Sequence, residues 1–162
     1  MNQWPGFRDP WPARKNVGPE SRVTSDERRL MSFSNYWENK ILDHIFAKAA
    51  YTAPAHIYVA LSGADPGESG SGLQEPSSGN YSRVETDPAD WTVAADGAIE
   101  NAAAVIFPTP TADWGAMTHA ALYDAATGGN FLACGELPSV LNVYATSPAP
   151  ELAAGGLVVT LD

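Results

Sequence analysis

Cysteine is almost absent: Cys134 stands alone, so no disulfide can close within the chain and no CxxC pair can hold zinc. Stability must come from packing or from association. Charge is also scarce, at 17% of 162 residues, which suits short strands and turns better than long solvent-washed helices. Only nine residues are Lys or Arg, and the formal net charge is −10. A nucleic-acid partner is therefore not expected, since it needs a basic face to displace counterions from phosphates. No run of eighteen apolar residues occurs, and the N-terminus, with Trp4, Pro5, Arg8, Pro10 and Trp11, lacks the continuous apolar stretch of a signal peptide. A soluble chain made in a cytoplasm, with no membrane partner, is expected.

Glycine, with 14 residues, and proline, with 13, are plentiful and act as turn residues between short apolar runs. The length accommodates one domain with a real core plus an appendage. The expected fold is mostly β, an antiparallel β-sandwich or partly open barrel with one N-terminal amphipathic helix and an extended N-terminal arm.

That arm is residues 1–30, with a body over 31–162. The arm carries Pro5, Pro10, Pro12 and Pro19 and no periodic apolar pattern, so it is not expected to fold alone. Six basic residues against four acidic ones give it a charge of +2, which leaves −12 for residues 31–162, where Lys40, Lys48 and Arg83 are the only Lys or Arg. A tail without contacts is one reading of such a segment. The other is an assembly strap whose contacts are Trp4, Phe7, Arg8, Trp11, Arg14, Lys15 and Arg22, side chains suited to an acidic neighbour.

The spacing predicts one helix over residues 35–49, capped by Asn35 with Glu38 reaching back, and carrying the apolar stripe Ile41, Leu42, Ile45 and Phe46 toward a sheet. On this reading Ile45→Asp unfolds the body. Strands are expected at 57–61, 81–84, 91–94, 105–107, 119–123, 131–137 and 157–161, with loops at 63–80 and 142–155. Gly128 and Gly129 mark a hairpin turn, because consecutive glycines accept positive φ.

No catalytic, cofactor or metal site emerges. His44, His56 and His119 are scattered, and a His119–Asp124 pair is disfavoured by strand alternation. The Gly67 to Gly72 stretch misses the spacing of a nucleophile elbow and lacks the lysine of a phosphate loop. Asp65, Glu68 and Glu75 lack the alternation of a calcium loop and read as a solvated acidic loop. Trp91, Trp114 and Tyr123 are candidates for a sugar-binding surface, although strand aromatics are more often core or interface. Cys134, between Ala133 and Gly135, reads as a small buried hydrophobe.

Longer stretches carry a resemblance. Ser32-Phe33-Ser34-Asn35-Tyr36 running into Glu38 to His44, then Ala50 to Ala55 and Ile57 to Leu61, are similar to the opening of a family of small tailed-bacteriophage virion structural proteins, often labelled tail fibre proteins. The similarity continues through Gly79 to Arg83, Phe107-Pro108, Ala112 to Gly115, Thr118-His119, Tyr123 to Asn130, and Leu157 to Asp162. Members of that family begin near Met31, which makes the arm an addition here, and the 142–151 loop diverges. The resemblance implies a non-enzymatic protein of the virion, assembled in the bacterial host cytoplasm. Its implied partners are other virion proteins, either the major capsid protein or tail proteins, and copies of itself.

Three functions are open. A capsid decoration or cement protein held by its arm is favoured by the small body and the lack of stalk-forming repeats. A tail-fibre or other tail-associated component contacting the host surface is the alternative. A carbohydrate-active or hydrolytic domain comes last, for want of an acid/base pair.

Overall fold

A computed structural model describes residues 30–161. The strap residues Trp4, Phe7, Arg8, Trp11, Arg14, Lys15 and Arg22 lie outside the described residues.

The chain enters as strand β1 (Leu30–Phe33) and turns at once into helix α1 (Asn35–Ile45). Seven further strands up to the C-terminal edge are β2 (Ile57–Ser62), β3 (Val84–Thr86), β4 (Ala98–Glu100), β5 (Val105–Ile106), β6 (Gly115–Tyr123), β7 (Phe131–Val143) and β8 (Glu151–Leu152), and β9 (Val158–Thr160) closes the order. Seven of the nine form one sheet in the order β3-β2-β6-β7-β1-β9-β4, curled into a half-barrel, while β5 and β8 make a separate ribbon. This is the mostly β, partly open architecture expected from the sequence. Its ladders are antiparallel except for β1 with β9, where Leu30 lies beside Val158 and Met31 beside Val159.

The centre of the sheet follows from period-two alternation in runs buried on both faces. Val59, Leu61, Ala120, Leu122, Leu132, Met31 and Val159 point into the main core with Phe107 and Trp114. Ala60, Ala121, Tyr123 and Phe131 point to the opposite face, where Leu73 and Tyr58 cover them. The β6–β7 hairpin is the longest ladder, with register shifts between Met117 and His119 and between Leu122 and Tyr123. Such bulges bend and twist long strands, which is how a sheet of this size curls. At its tip Gly128 and Gly129 take φ of 61° and 75°. Asp124 accepts from the Asn130 backbone and side-chain nitrogens, both at 2.6 Å, so the turn is the hairpin that its glycines announce.

Several strand expectations move. The 81–84 strand is found at Val84–Thr86, the 91–94 strand is reduced to a bridge between Trp91 and Asn101, and β1, β4 and β8 are additions. The 142–155 loop gives up its first residues to β7 and a central pair to β8.

The helix departs from expectation in three ways. It ends at Ile45, because Ala47 turns to a φ of 54° and Lys48 and Ala49 donate back to the Asp43 carbonyl. Its cap is Ser34, not Asn35: the hydroxyl accepts from Trp37 N at 3.2 Å and donates to the Phe131 carbonyl at 2.6 Å. Finally, the Ile41, Leu42, Ile45, Phe46 stripe does not lie on the sheet. Tyr36 and Trp37 of the first turn pack on the core, with Phe33 and Trp37 rings 4.6 Å apart, whereas Ile45 and Phe46 are 68% and 69% exposed. Anchoring at the N-terminal turn leaves the rest of the apolar stripe facing outward, and Ile45→Asp loses its reason to unfold the protein.

The long 63–83 connection is held by Arg83, whose side chain is only 8% exposed. Its Nε and one terminal nitrogen grip Glu75 at 3.0 and 2.7 Å. Its other terminal nitrogen donates to the Ala125 and Gly128 carbonyls at 3.1 and 2.8 Å, and the guanidinium lies 3.5 Å from the Tyr123 ring centre. Burial works against this charge, but the hydrogen bonds and field of Glu75 prevail and hold the guanidinium protonated. Tyr81 completes the knot by donating to Glu75 at 2.9 Å while its oxygen accepts from Leu61 N at 2.9 Å. Burial and the neighbouring carboxylate push the Tyr81 hydroxyl far above its ordinary range, so it remains a donor. Glu75 is thereby a structural carboxylate and not part of a calcium loop.

Candidate binding groove

Between the first turn of α1 and the β2–β3 edge runs an apolar groove of about 330 Å³. It is lined by Trp37, Pro54 and Trp91 together with Ile57, Ile99 and Val159. Trp91 is placed by a short 3₁₀ turn, Pro88–Asp90, in which Asp90 accepts from Asp87 N at 2.8 Å and Pro88 supplies the fixed φ of a first helical position. The indole nitrogen of Trp91 donates to Thr86 Oγ1 at 3.0 Å, and Thr86 in turn donates to the Ile57 carbonyl. The polar edge of Trp91 is thus satisfied inside the protein.

One rim of the groove carries His56 and Asp87, with Glu85 just outside its lining. His56 Nδ1 lies 2.9 Å from Asp87 Oδ1 and 3.5 Å from Glu85 Oε1, and Tyr58 donates to the other Glu85 oxygen at 2.6 Å. The Tyr58–Glu85 pairing follows from ladder register, where the two residues stand directly opposite on β2 and β3. The hydrogen bond to Glu85 pushes the Tyr58 hydroxyl upward. His56, Glu85 and Asp87 each offer a ligand atom within 4.8 Å of the others, which makes them the group able to hold a cation among the described residues. Reading along the chain did not reveal this group, because His56 and the carboxylates are about thirty positions apart and meet only through the ladder.

The other histidines are elsewhere. His44 Nδ1 accepts from Tyr51 N at 3.2 Å, and His119 shares a 2.8 Å contact with Thr118 and stands 3.9 Å from Asp65. Asp124 is committed to Asn130, so His119 and Asp124 do not pair. Of the three aromatics considered for sugar binding, Trp91 alone lines the groove. Trp114 is buried with its indole nitrogen on the Gly79 carbonyl, and Tyr123 is buried under Arg83. The Gly67 to Gly72 stretch is a set of tight turns packed on Asp65, where a Cβ at Gly72 would sit 2.2 Å from a carbonyl oxygen. Cys134 is half-buried, and burial followed by the fields of Asp65 and Glu68 pushes its thiol up to about 11. No helix among the described residues is long and apolar enough to cross a membrane.

A family model described as podophage GP4 fiber I protein gp80 matches residues 32–160, from within β1 to the end of β9. The chain belongs to that family. It is accordingly a structural component of a phage virion and associates with other virion proteins. The gp80-family match spans α1, the curled sheet from Ser32 onward and every residue of the groove. No curated protein matches the chain.

Proposed function

We propose that this chain is a non-enzymatic fibre component of the phage particle whose compact β body docks on other virion proteins through the outward face of α1. The observation that carries this reading is the misfit between pattern and packing: Leu42, Ile45 and Phe46 form an amphipathic stripe at helical spacing and are all more than half exposed. A groove lined by Phe33, Ile41, Leu42 and Leu161 continues that surface onto the β1 and β9 ends. Contiguous exposed apolar surface rimmed by polar residues marks protein–protein contact. The name of the family supports the fibre placement. The reading as a non-enzyme is supported by the local engagements of His44 and His119 and by the structural use of Arg83 and Glu75.

Capsid decoration, the placement first expected, remains as a second reading because one observation favours it. No described element extends into a stalk, and the longest strand has 13 residues. Quantitative mass spectrometry of purified particles separates the two. A fibre component is present in tens of copies or fewer relative to the portal-bearing tail, a decoration protein in hundreds. Hundreds of copies would overturn the fibre placement, and absence from washed particles would overturn both.

A further inference from the structure

We infer that the groove lined by Trp37 and Trp91 is the seat of this chain's own proline-rich N-terminal segment, residues 4–12. This deepens the assembly reading above and rests on it.

The chemistry of the groove selects its occupant. Aromatic walls set a few ångströms of depth over an aliphatic floor are how proteins bind proline-rich segments, whose restricted φ lowers the entropy lost on docking. Trp37, Pro54 and Trp91 are in the lining of the groove, and the Trp91 nitrogen is already bonded to Thr86, so the ring offers apolar surface to a ligand. Residues 4–12 read Trp-Pro-Gly-Phe-Arg-Asp-Pro-Trp-Pro, three prolines and three aromatics in nine positions. No other stretch of the sequence combines them so densely.

Charge points the same way. Asp87 on the rim and Glu85 beside it have side chains 66% and 52% exposed. Lys40, Lys48 and Arg83 are the Lys and Arg residues after position 30, and Arg83 is consumed by Glu75. Further cations are on the N-terminal segment itself, where Arg8 lies inside the motif beside Asp9, and Arg14 and Lys15 follow it. A second body, formally −12 over residues 31–162, would bring like charge to the same rim. Reach is ample: the eighteen-residue stretch from position 12 to Leu30 spans up to about 60 Å when extended. That length serves either the chain's own groove or that of a neighbouring copy.

The test uses the full-length chain with its own segment disabled by Trp4→Ala and Trp11→Ala, and a fluorescein-labelled synthetic peptide of residues 1–15 as the probe. Anisotropy should rise saturably with this chain. Wild-type chain should bind the probe several-fold more weakly, because its own segment competes. Ala55→Trp, added at an exposed groove position, should weaken binding at least tenfold without moving the thermal melt; Ala53→Trp repeats the test from a neighbouring position if Ala55→Trp misfolds. Glu85→Lys with Asp87→Lys should weaken binding and flatten its salt dependence, since exposed charges are screened within about 10 Å at 0.1 M salt. Absence of saturable binding, equal binding by the wild-type chain, indifference to both groove variants, or loss of binding on Ile45→Arg in α1 instead would each overturn the inference. None of these outcomes alters the copy number in particles, on which the fibre reading stands or falls separately.

Discussion

Replacing Arg83 with Met should remove the charge that fastens the 63–83 connection to the hairpin tip while keeping most of the side-chain volume. The guanidinium makes two bonds to Glu75 and one each to the Ala125 and Gly128 carbonyls, and stacks on Tyr123. After substitution Glu75, whose side chain is 20% exposed, keeps Tyr81 as a donor but loses its counter-charge. Breaking a buried pair from one side costs about 3–5 kcal/mol, and the partial exposure of Glu75 places the loss near the lower end, about 3 kcal/mol. With a urea slope of roughly 2 kcal/mol/M, the unfolding midpoint of the full-length chain should fall by about 1.5 M. Converting Glu75 to Leu in the same chain should return part of the loss, because the uncompensated carboxylate disappears, giving a coupling energy of about 1–3 kcal/mol. A midpoint shift below about 0.5 M, or single-mutant effects that simply add, would refute the claim that Arg83 and Glu75 act as one buried unit.

Ser34→Ala should lower stability by about 2 kcal/mol by urea unfolding, since it removes the helix cap and leaves the Phe131 carbonyl without its donor at a fully buried position. An effect below half of that would mean that water takes over both roles. Ile45→Asp should leave the thermal melt within a few degrees of wild type and abolish attachment to other virion proteins in a pull-down from disrupted particles; an unfolded variant would place the stripe back in the core. Cys134 should react slowly with a thiol reagent at pH 8 and speed up as the pH approaches 11. Its folded-state pKa lies above the unfolded value, so the stability it contributes is complete below pH 9 and declines as the pH rises through about 11. Fast labelling at pH 8 in the folded chain would contradict the burial that raises it.

Which parts of this fold were legible along the chain has physical reasons. β2, β6 and β7 announce themselves as apolar runs, and the Gly128-Gly129 pair sets the hairpin between the last two, because buried strands and positive φ are local demands. β1, β4 and β8 are two to four residues long, too short to show a period, and exist only through their partners. Asn35 and Ser34 are equally good caps in isolation; the Phe131 carbonyl, 97 positions away, selects Ser34. The α1 stripe was correctly read as apolar and wrongly read as buried, since amphipathicity tells which face is apolar and not what covers it. The groove draws on residues from α1, the segment before β2, the turn after β3, and β4 and β9. Among them His56 and Trp91 stand out in the sequence, but His56 does so as one of three scattered histidines and Trp91 alongside Trp114 and Tyr123, whose places are in the interior. For Arg83 the clue is its isolation as the only Lys or Arg after Lys48.

The most direct test of the central claim is a reconstruction of the intact particle at a resolution that shows side chains. The account predicts the half-barrel body at fibre positions, with Leu42, Ile45 and Phe46 of α1 covered by another virion protein. A particle in which that face of α1 is open to solvent on every copy would contradict it.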